Sequence, residues 1–349
     1  MNDSPILVHL GYHKTATTWL QNAIFSDETL GFISPWGRQA GVAVDEFVLA
    51  SAFRFDAALA RSRFEDGLAE ARSRSLVPVL SNEALCGQPI NGGRFTYGKY
   101  VVERLHEAFP DARILILVRE QRASLLSHYR EYIANGSYGD IARFIGGPEL
   151  PPGFAPDCPL DHFEYDALVG HTQALFGTEN VLVLPFEMLK KQREDFLSEL
   201  YRFIGRPMPA IPDHPPQRVG AKGLGLAFKR ACNRINFGKA DWSRPRQSLA
   251  VRVVSTTTGW LERLKTDAWQ RVYNERLRQY VETQIGTQYA QSNARLEELT
   301  GLDLGQYGYA LPASQASTRN DTSQEDPAVD GAVLADRRFR NQGDDQTSS

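Results

Sequence analysis

Residues 6–25, ILVHLGYHKTATTWLQNAIF, constrain the fold more than any other stretch of the chain. Ile6 to Leu10 are branched and apolar, as in a strand buried on both faces. Gly11 lets the backbone turn sharply, and the pattern from Thr15 onward predicts a helix. A strand running through a glycine turn into a helix aims backbone N–H groups at one point. The ammonium of Lys14 and the hydroxyls of Thr15, Thr17 and Thr18 add donors there. The junction therefore predicts a cradle for phosphate or sulfate oxygens.

Three further apolar runs read as parallel strands. Leu76 to Leu80 ends in Ser81, Asn82 and Glu83, which puts a carboxylate at a strand end. ARILILVRE, residues 112–120, has no alternation of polar and apolar residues, the mark of a strand covered on both sides, and it ends in Arg119. NVLVLPFEML gives a fourth strand, ending near Glu187. Helical spacing fills the intervals: an amphipathic helix over 56–75, one over 99–108, one carrying Ser127, His128 and Tyr129, then LDHFEYDALVGHTQALF and 197–204. A basic helix over 228–235 and helical spacing over 260–299 follow. Glycine- and proline-rich segments at 34–44, 87–98 and 135–160 read as loops, the last long enough for a substrate loop or lid. This alternation predicts an α/β fold, a single domain over 1–312 with a central, mainly parallel sheet flanked by helices. Its ligand site is expected beyond the carboxyl ends of the strands.

Of the 349 residues 42% are hydrophobic, enough for a substantial core. The formal charge of −3 is accounted for by residues 313–349, where seven acids face four arginines, so the body of the chain is neutral. A neutral body offers no basic footprint for nucleic acid, and any anion site must be local. The terminal stretch is polar and acidic, which predicts a disordered tail. Cys86, Cys158 and Cys232 are scattered, as expected of free thiols in a reducing compartment. MNDSPILVHL lacks a basic leader, and its apolar run is too short to span a membrane. A cytoplasmic location with no transmembrane segment is the expectation.

A nucleoside-triphosphate loop needs G-x-x-x-x-G-K-[ST]. Here Gly11 stands only three residues before Lys14, and His13 occupies the place of the second glycine. The best buried strand also ends in an arginine rather than the acid that would support Mg²⁺. GYHKTATTWL, residues 11–20, instead resembles the 5′-phosphosulfate loop of the sulfotransferases that use 3′-phosphoadenosine 5′-phosphosulfate. VREQRASLLSHY, residues 118–129, resembles that family's 3′-phosphate motif, an Arg at a strand end and a Ser eight residues on. Similarity continues more weakly through 180–187, 218–223 and 292–309. The second motif has Glu120 and Gln121 where many members carry Asn-Pro.

The resemblance implies a P-loop-like sulfotransferase architecture and sulfuryl transfer from this donor, leaving adenosine 3′,5′-bisphosphate. It implies that Gly11, Lys14, Thr15, Thr17, Thr18 and Trp19 hold the phosphosulfate, while Arg119 and Ser127, with Arg218 and Lys222 of a later loop, hold the 3′-phosphate. Lys14 then also neutralises charge on the transferring oxygens. The family's base is a Glu or a His, which makes Glu83 the first candidate and His13 its rival, with His128 expected to pack or cap and Glu187 to serve a structural role. The spacing of His9 and His13 does not make a metal site, and no metal is expected. The acceptor is expected to be a saccharide or another hydroxylated small molecule, with Trp36, Tyr97 and Tyr138 available to stack on a ring. Two other readings remain at this point: an ATP-dependent small-molecule kinase with a degenerate phosphate loop, and a nucleotide-binding module without catalysis.

Overall fold

The structure is a computed structural model that describes residues 5–87, 97–147, 156–211, 224–235 and 267–313. Five strands, β1 Leu7–Gly11, β2 Phe32–Ile33, β3 Val77–Ser81, β4 Arg113–Val118 and β5 Val181–Pro185, form one sheet in the order β2-β3-β1-β4-β5. All four pairings are parallel. The four apolar runs read from the sequence are β1, β3, β4 and β5. The fifth strand, β2, is a two-residue edge pairing with Val77 and Pro78, too short to leave a pattern.

Alternate residues of each central strand enter opposite layers. Val8 and Leu10 of β1 with Ile114, Ile116 and Val118 of β4 belong to one core, and Leu7 with Leu115 and Leu117 to the other. Burial on both faces explains the unbroken apolar composition of these strands. The first core is covered by α4 Gly98–Ala108, α5 Gln121–Ala134, α7 Tyr165–Phe176 and α12 Ala290–Thr300; the second by α1 Thr17–Ala23 and α9 Arg193–Phe203.

The helix expected over 56–75 is two helices, α2 Ala57–Ser62 and α3 Glu65–Ser73. The break turns Phe64 inward, where its ring lies 5.7 Å from Phe47 and 5.5 Å from Phe109. Asp56 caps the first of the pair by accepting from Leu59 N–H at 2.9 Å. A short helix, α6 Ile141–Ile145, lies within the segment expected to be a loop. Next come α8 Phe186–Lys191, α10 Leu224–Ile235, which begins four residues before the helix expected over 228–235, and α11 Asp267–Ile285, within the stretch expected to be helical. No helix among the described residues is long and apolar enough to cross a membrane. All three cysteines are free. The tail expected from residue 313 onward lies, beyond Ala313 itself, outside the described residues.

Candidate active site

β1 sits between β3 and β4, so the loop that follows it opens where the chain's crossovers diverge to either side of the sheet, the place where parallel sheets bind ligands. The helix expected from Thr15 begins two residues later, at Thr17. Lys14 and Ala16 both take left-handed backbone conformations, with φ of 71° and 68°. Gly11 must be glycine for a steric reason, since a Cβ there would stand 2.5 Å from Thr17 Oγ1 and 2.8 Å from His9 Nε2. Beneath the loop, His9 Nδ1 lies 2.8 Å from Ser81 Oγ, and Gln21 Nε2 donates to the same oxygen at 3.1 Å. This buried network joins β1, α1 and β3.

The threonines divide. Thr15 is fully buried and its hydroxyl donates to the Tyr12 carbonyl, closing the loop on itself. Thr17 Oγ1 is buried without a partner, and Thr18 is exposed. Trp19 packs in the second core with Arg193 over its ring at 5.1 Å.

Arg119, at the end of β4, reaches across to this loop. Its Nη1 donates to the Lys14 carbonyl at 2.9 Å, and its guanidinium lies 4.9 Å from the Phe186 ring. Its own carbonyl accepts from Tyr165 Oη at 2.8 Å. Burial holds the Arg119 pKa below its ordinary value, and its Nε is buried with no partner. Glu120 starts α5 by accepting from the N–H groups of Arg122 and Ala123. Glu187 accepts from Glu120 N–H and from Tyr309 Oη, both at 3.3 Å, the structural role expected of it.

Ser127 is half-buried on α5. One turn later on the same face, Glu131 Oε1 lies 3.0 Å from Lys14 Nζ, so this face of the helix turns towards the loop. Arg130 beside it was not anticipated. Its Nε is buried without a partner, and its pKa is lowered by burial and then by the charges of Arg119 and Arg278. Three cationic groups thus converge on one strand end, two with a buried donor unspent. Such an arrangement suits a strongly anionic ligand. Arg218 and Lys222 lie outside the described residues.

The two candidate bases are neighbours. His13 Nδ1 is 3.5 Å from Glu83 Oε1, and Glu83 follows the end of β3, with Asn82 between, in the turn Glu83–Cys86. Burial pushes the Glu83 pKa up, but the hydrogen bond from His13 and the charges of His13 and Lys14 outweigh it and hold the carboxyl below its ordinary range. His13 Nε2 is buried and has no partner. Its ring lies 6.3 Å from that of His128, whose Nδ1 is 2.8 Å from the Ser124 carbonyl, the packing role expected of it. His162, which no sequence signal marked, joins the group by packing on Tyr12 at 4.9 Å and on Phe163 at 5.2 Å. Burial and then the nearby His13 hold its pKa down to about 3.

A cavity of about 370 Å³ adjoins this cluster, with Tyr12, Cys86, Gly98, Lys99, His162 and Leu168 among its walls. Gly98 allows the wall to close, because a Cβ there would stand 3.0 Å from the Cys86 carbonyl oxygen. Of the aromatic residues considered for the acceptor, Tyr97 immediately precedes this wall. Trp36 packs on Phe64 at 5.1 Å, and Tyr138 is exposed.

Residues 99–210 match the profile of the sulfotransferase family. Among solved structures, the chain is similar to a sulfotransferase from Alicyclobacillus acidocaldarius, with 18% identity and a TM-score of 0.41 over 69% of this chain and 99% of the other. It is also similar to the sulfotransferase domain from the curacin biosynthetic pathway, with 13% identity and a TM-score of 0.34 over 73% of this chain and 97% of the other. No curated protein matches the sequence.

Proposed function

We propose that this chain, whose residues 99–210 match the profile of the sulfotransferase family, transfers a sulfuryl group from 3′-phosphoadenosine 5′-phosphosulfate to a hydroxyl of a small acceptor such as a saccharide. The observation that carries the reading is the bond from Arg119 Nη1 to the Lys14 carbonyl, 105 residues away in sequence. It joins the two anion grips into one site. A donor with phosphate at one end and phosphosulfate at the other fits two such grips on neighbouring strand ends. The partnerless donors of Arg119, Arg130 and Thr17 supply hydrogen bonds for it.

Lys14 is the residue that neutralises charge on the transferring and leaving oxygens, held in place by its fixed backbone. His13 is the base. With Nδ1–H directed at Glu83, the ring keeps its lone pair on Nε2, which takes the proton of the acceptor hydroxyl as sulfur is attacked. Glu83 orients the ring and balances the charge it gains. The cavity beside Tyr12 is the seat of the acceptor, because Tyr12 precedes His13 and Cys86 shares a turn with Glu83.

The test is transfer of labelled sulfate to pooled saccharides, phenols and lipids, after thermal-shift screening with adenosine 3′,5′-bisphosphate against ATP and Mg²⁺. The bisphosphate is expected to raise the melting temperature. Lys14→Ala is expected to lower kcat by ~10²–10³ with the fold retained, the usual effect of removing a charge partner from a developing anion. Full sulfate transfer by Lys14→Ala would sink the mechanism, and stabilisation by ATP and Mg²⁺ alone would favour a kinase.

A further inference from the structure

Glu131 puts a carboxylate inside a site whose other charged groups are arranged to receive anions. Its Oε1 lies 3.0 Å from Lys14 Nζ, with the two side chains 26% and 34% exposed, and its Oε2 is buried with no hydrogen-bond partner. An ion pair kept for stability alone would be expected to satisfy both oxygens, since an unpaired buried oxygen offsets much of what the pair contributes. The carboxylate, one turn beyond Ser127, thus occupies the lysine that must meet the donor.

We propose that Glu131 is a positioning residue that competes with the donor for Lys14. It holds the ammonium inside the site and takes it back as the bisphosphate leaves. This rests on the donor-binding reading of Lys14 given above. The geometry suits an exchange of this kind. The Lys14 backbone is pinned by its left-handed conformation and by the Arg119 bond to its carbonyl, so only the four-carbon stem has to move. The ammonium carries three donors, and one can stay on Glu131 while others turn to an incoming oxygen. An exchange partner lowers the affinity for donor and product alike, and so keeps product from being trapped by the same cations that recruit the donor.

The experiment is calorimetric titration of the full chain with adenosine 3′,5′-bisphosphate, in the wild type, Glu131→Gln, Lys14→Ala and the double variant. Glu131→Gln, which removes the charge and keeps the shape, is expected to bind ~10-fold more tightly and to release the ligand correspondingly more slowly. In the Lys14→Ala background the same replacement should change affinity far less, because Glu131 acts through Lys14. Glu131→Asp, which withdraws the charge by one methylene, should fall between and carries the test if Glu131→Gln does not fold. A folded Glu131→Gln with unchanged or weaker affinity, beside a wild type that binds, overturns the exchange role alone. A wild type that does not bind the bisphosphate overturns the donor assignment and this role with it.

Discussion

Glu83 and His13 entered as rival bases, and 3.5 Å separates them. In the proposed mechanism they divide the work, because a carboxylate on Nδ1 is what leaves the imidazole lone pair on Nε2. The consequence is a graded effect of substitution at the two positions. His13→Ala removes the proton acceptor and is expected to lower kcat by ~10²-fold or more, whereas Glu83→Gln keeps a hydrogen-bond partner for the ring and should cost nearer ~10-fold. Neither should change the calorimetric affinity for adenosine 3′,5′-bisphosphate by more than a few-fold, since neither side chain belongs to the two anion grips. The reverse ranking, with Glu83→Gln the more damaging, would make the carboxylate the base. At this scale the sequence could offer both residues but not their order of action. In the proposed mechanism that order rests on which ring nitrogen faces the carboxylate, and their contact comes from the approach of the β3 end to the β1 loop.

The elements that carry the site were legible to different degrees, for physical reasons. β1, β3, β4 and β5 announce themselves because burial on both faces demands unbroken apolar runs, whereas β2 pairs only Phe32 and Ile33 and demands almost nothing. Arg119 was legible because it ends the strongest of those runs. Arg130 and Glu131 were not singled out, although they stand three and four residues after Ser127, the spacing that shares a helix face. His162 could not be found from sequence, since it arrives from a turn between α6 and α7 and meets Tyr12 only through the fold. Nor do residues other than glycine at positive φ leave a pattern, and the β1 loop has two. Ala16, at φ 68°, is the N-cap of α1, so Ala16→Gly should relieve left-handed strain and raise the unfolding free energy by up to ~1 kcal/mol, measured by urea titration. Gly11→Ala at the other end of the loop should act oppositely. Its Cβ would stand 2.5 Å from Thr17 Oγ1, an overlap expected to cost ~1–3 kcal/mol and to weaken bisphosphate binding as the loop shifts. A Gly11→Ala protein with wild-type stability and affinity would mean the loop is not held as tightly as its contacts imply.

Across the whole molecule, the site is backed by histidines that the fold keeps neutral. His9, His128 and His162 are 0%, 1% and 7% exposed, and in each burial is the largest cause holding the pKa down, to about 3 for His9 and His162 and well below the ordinary 6.5 for His128. The unfolded chain regains the ordinary value, so between pH 6.5 and about 3 the unfolded state binds protons that the folded state does not. Stability therefore rises with pH through that window and falls as acid is added, the opposite sign to a histidine stabilised by a carboxylate. Each fully neutral histidine contributes a slope of up to ~1.4 kcal/mol per pH unit once the unfolded form is protonated. Glu83 acts over a lower range, because its depressed pKa adds stability that is complete above the ordinary carboxyl value and is lost only as pH falls through the folded value. Urea midpoints at intervals from pH 7.5 to pH 5 should accordingly stay nearly level down to about 6.5 and then fall steeply. The glutamine variant at position 162, His162→Gln, should flatten the fall by roughly one histidine's share, whatever it costs at neutral pH. A wild-type midpoint that holds level to pH 5 would mean that these rings accept protons within the fold, and the neutral histidine layer behind Lys14 and His13 would have to be abandoned.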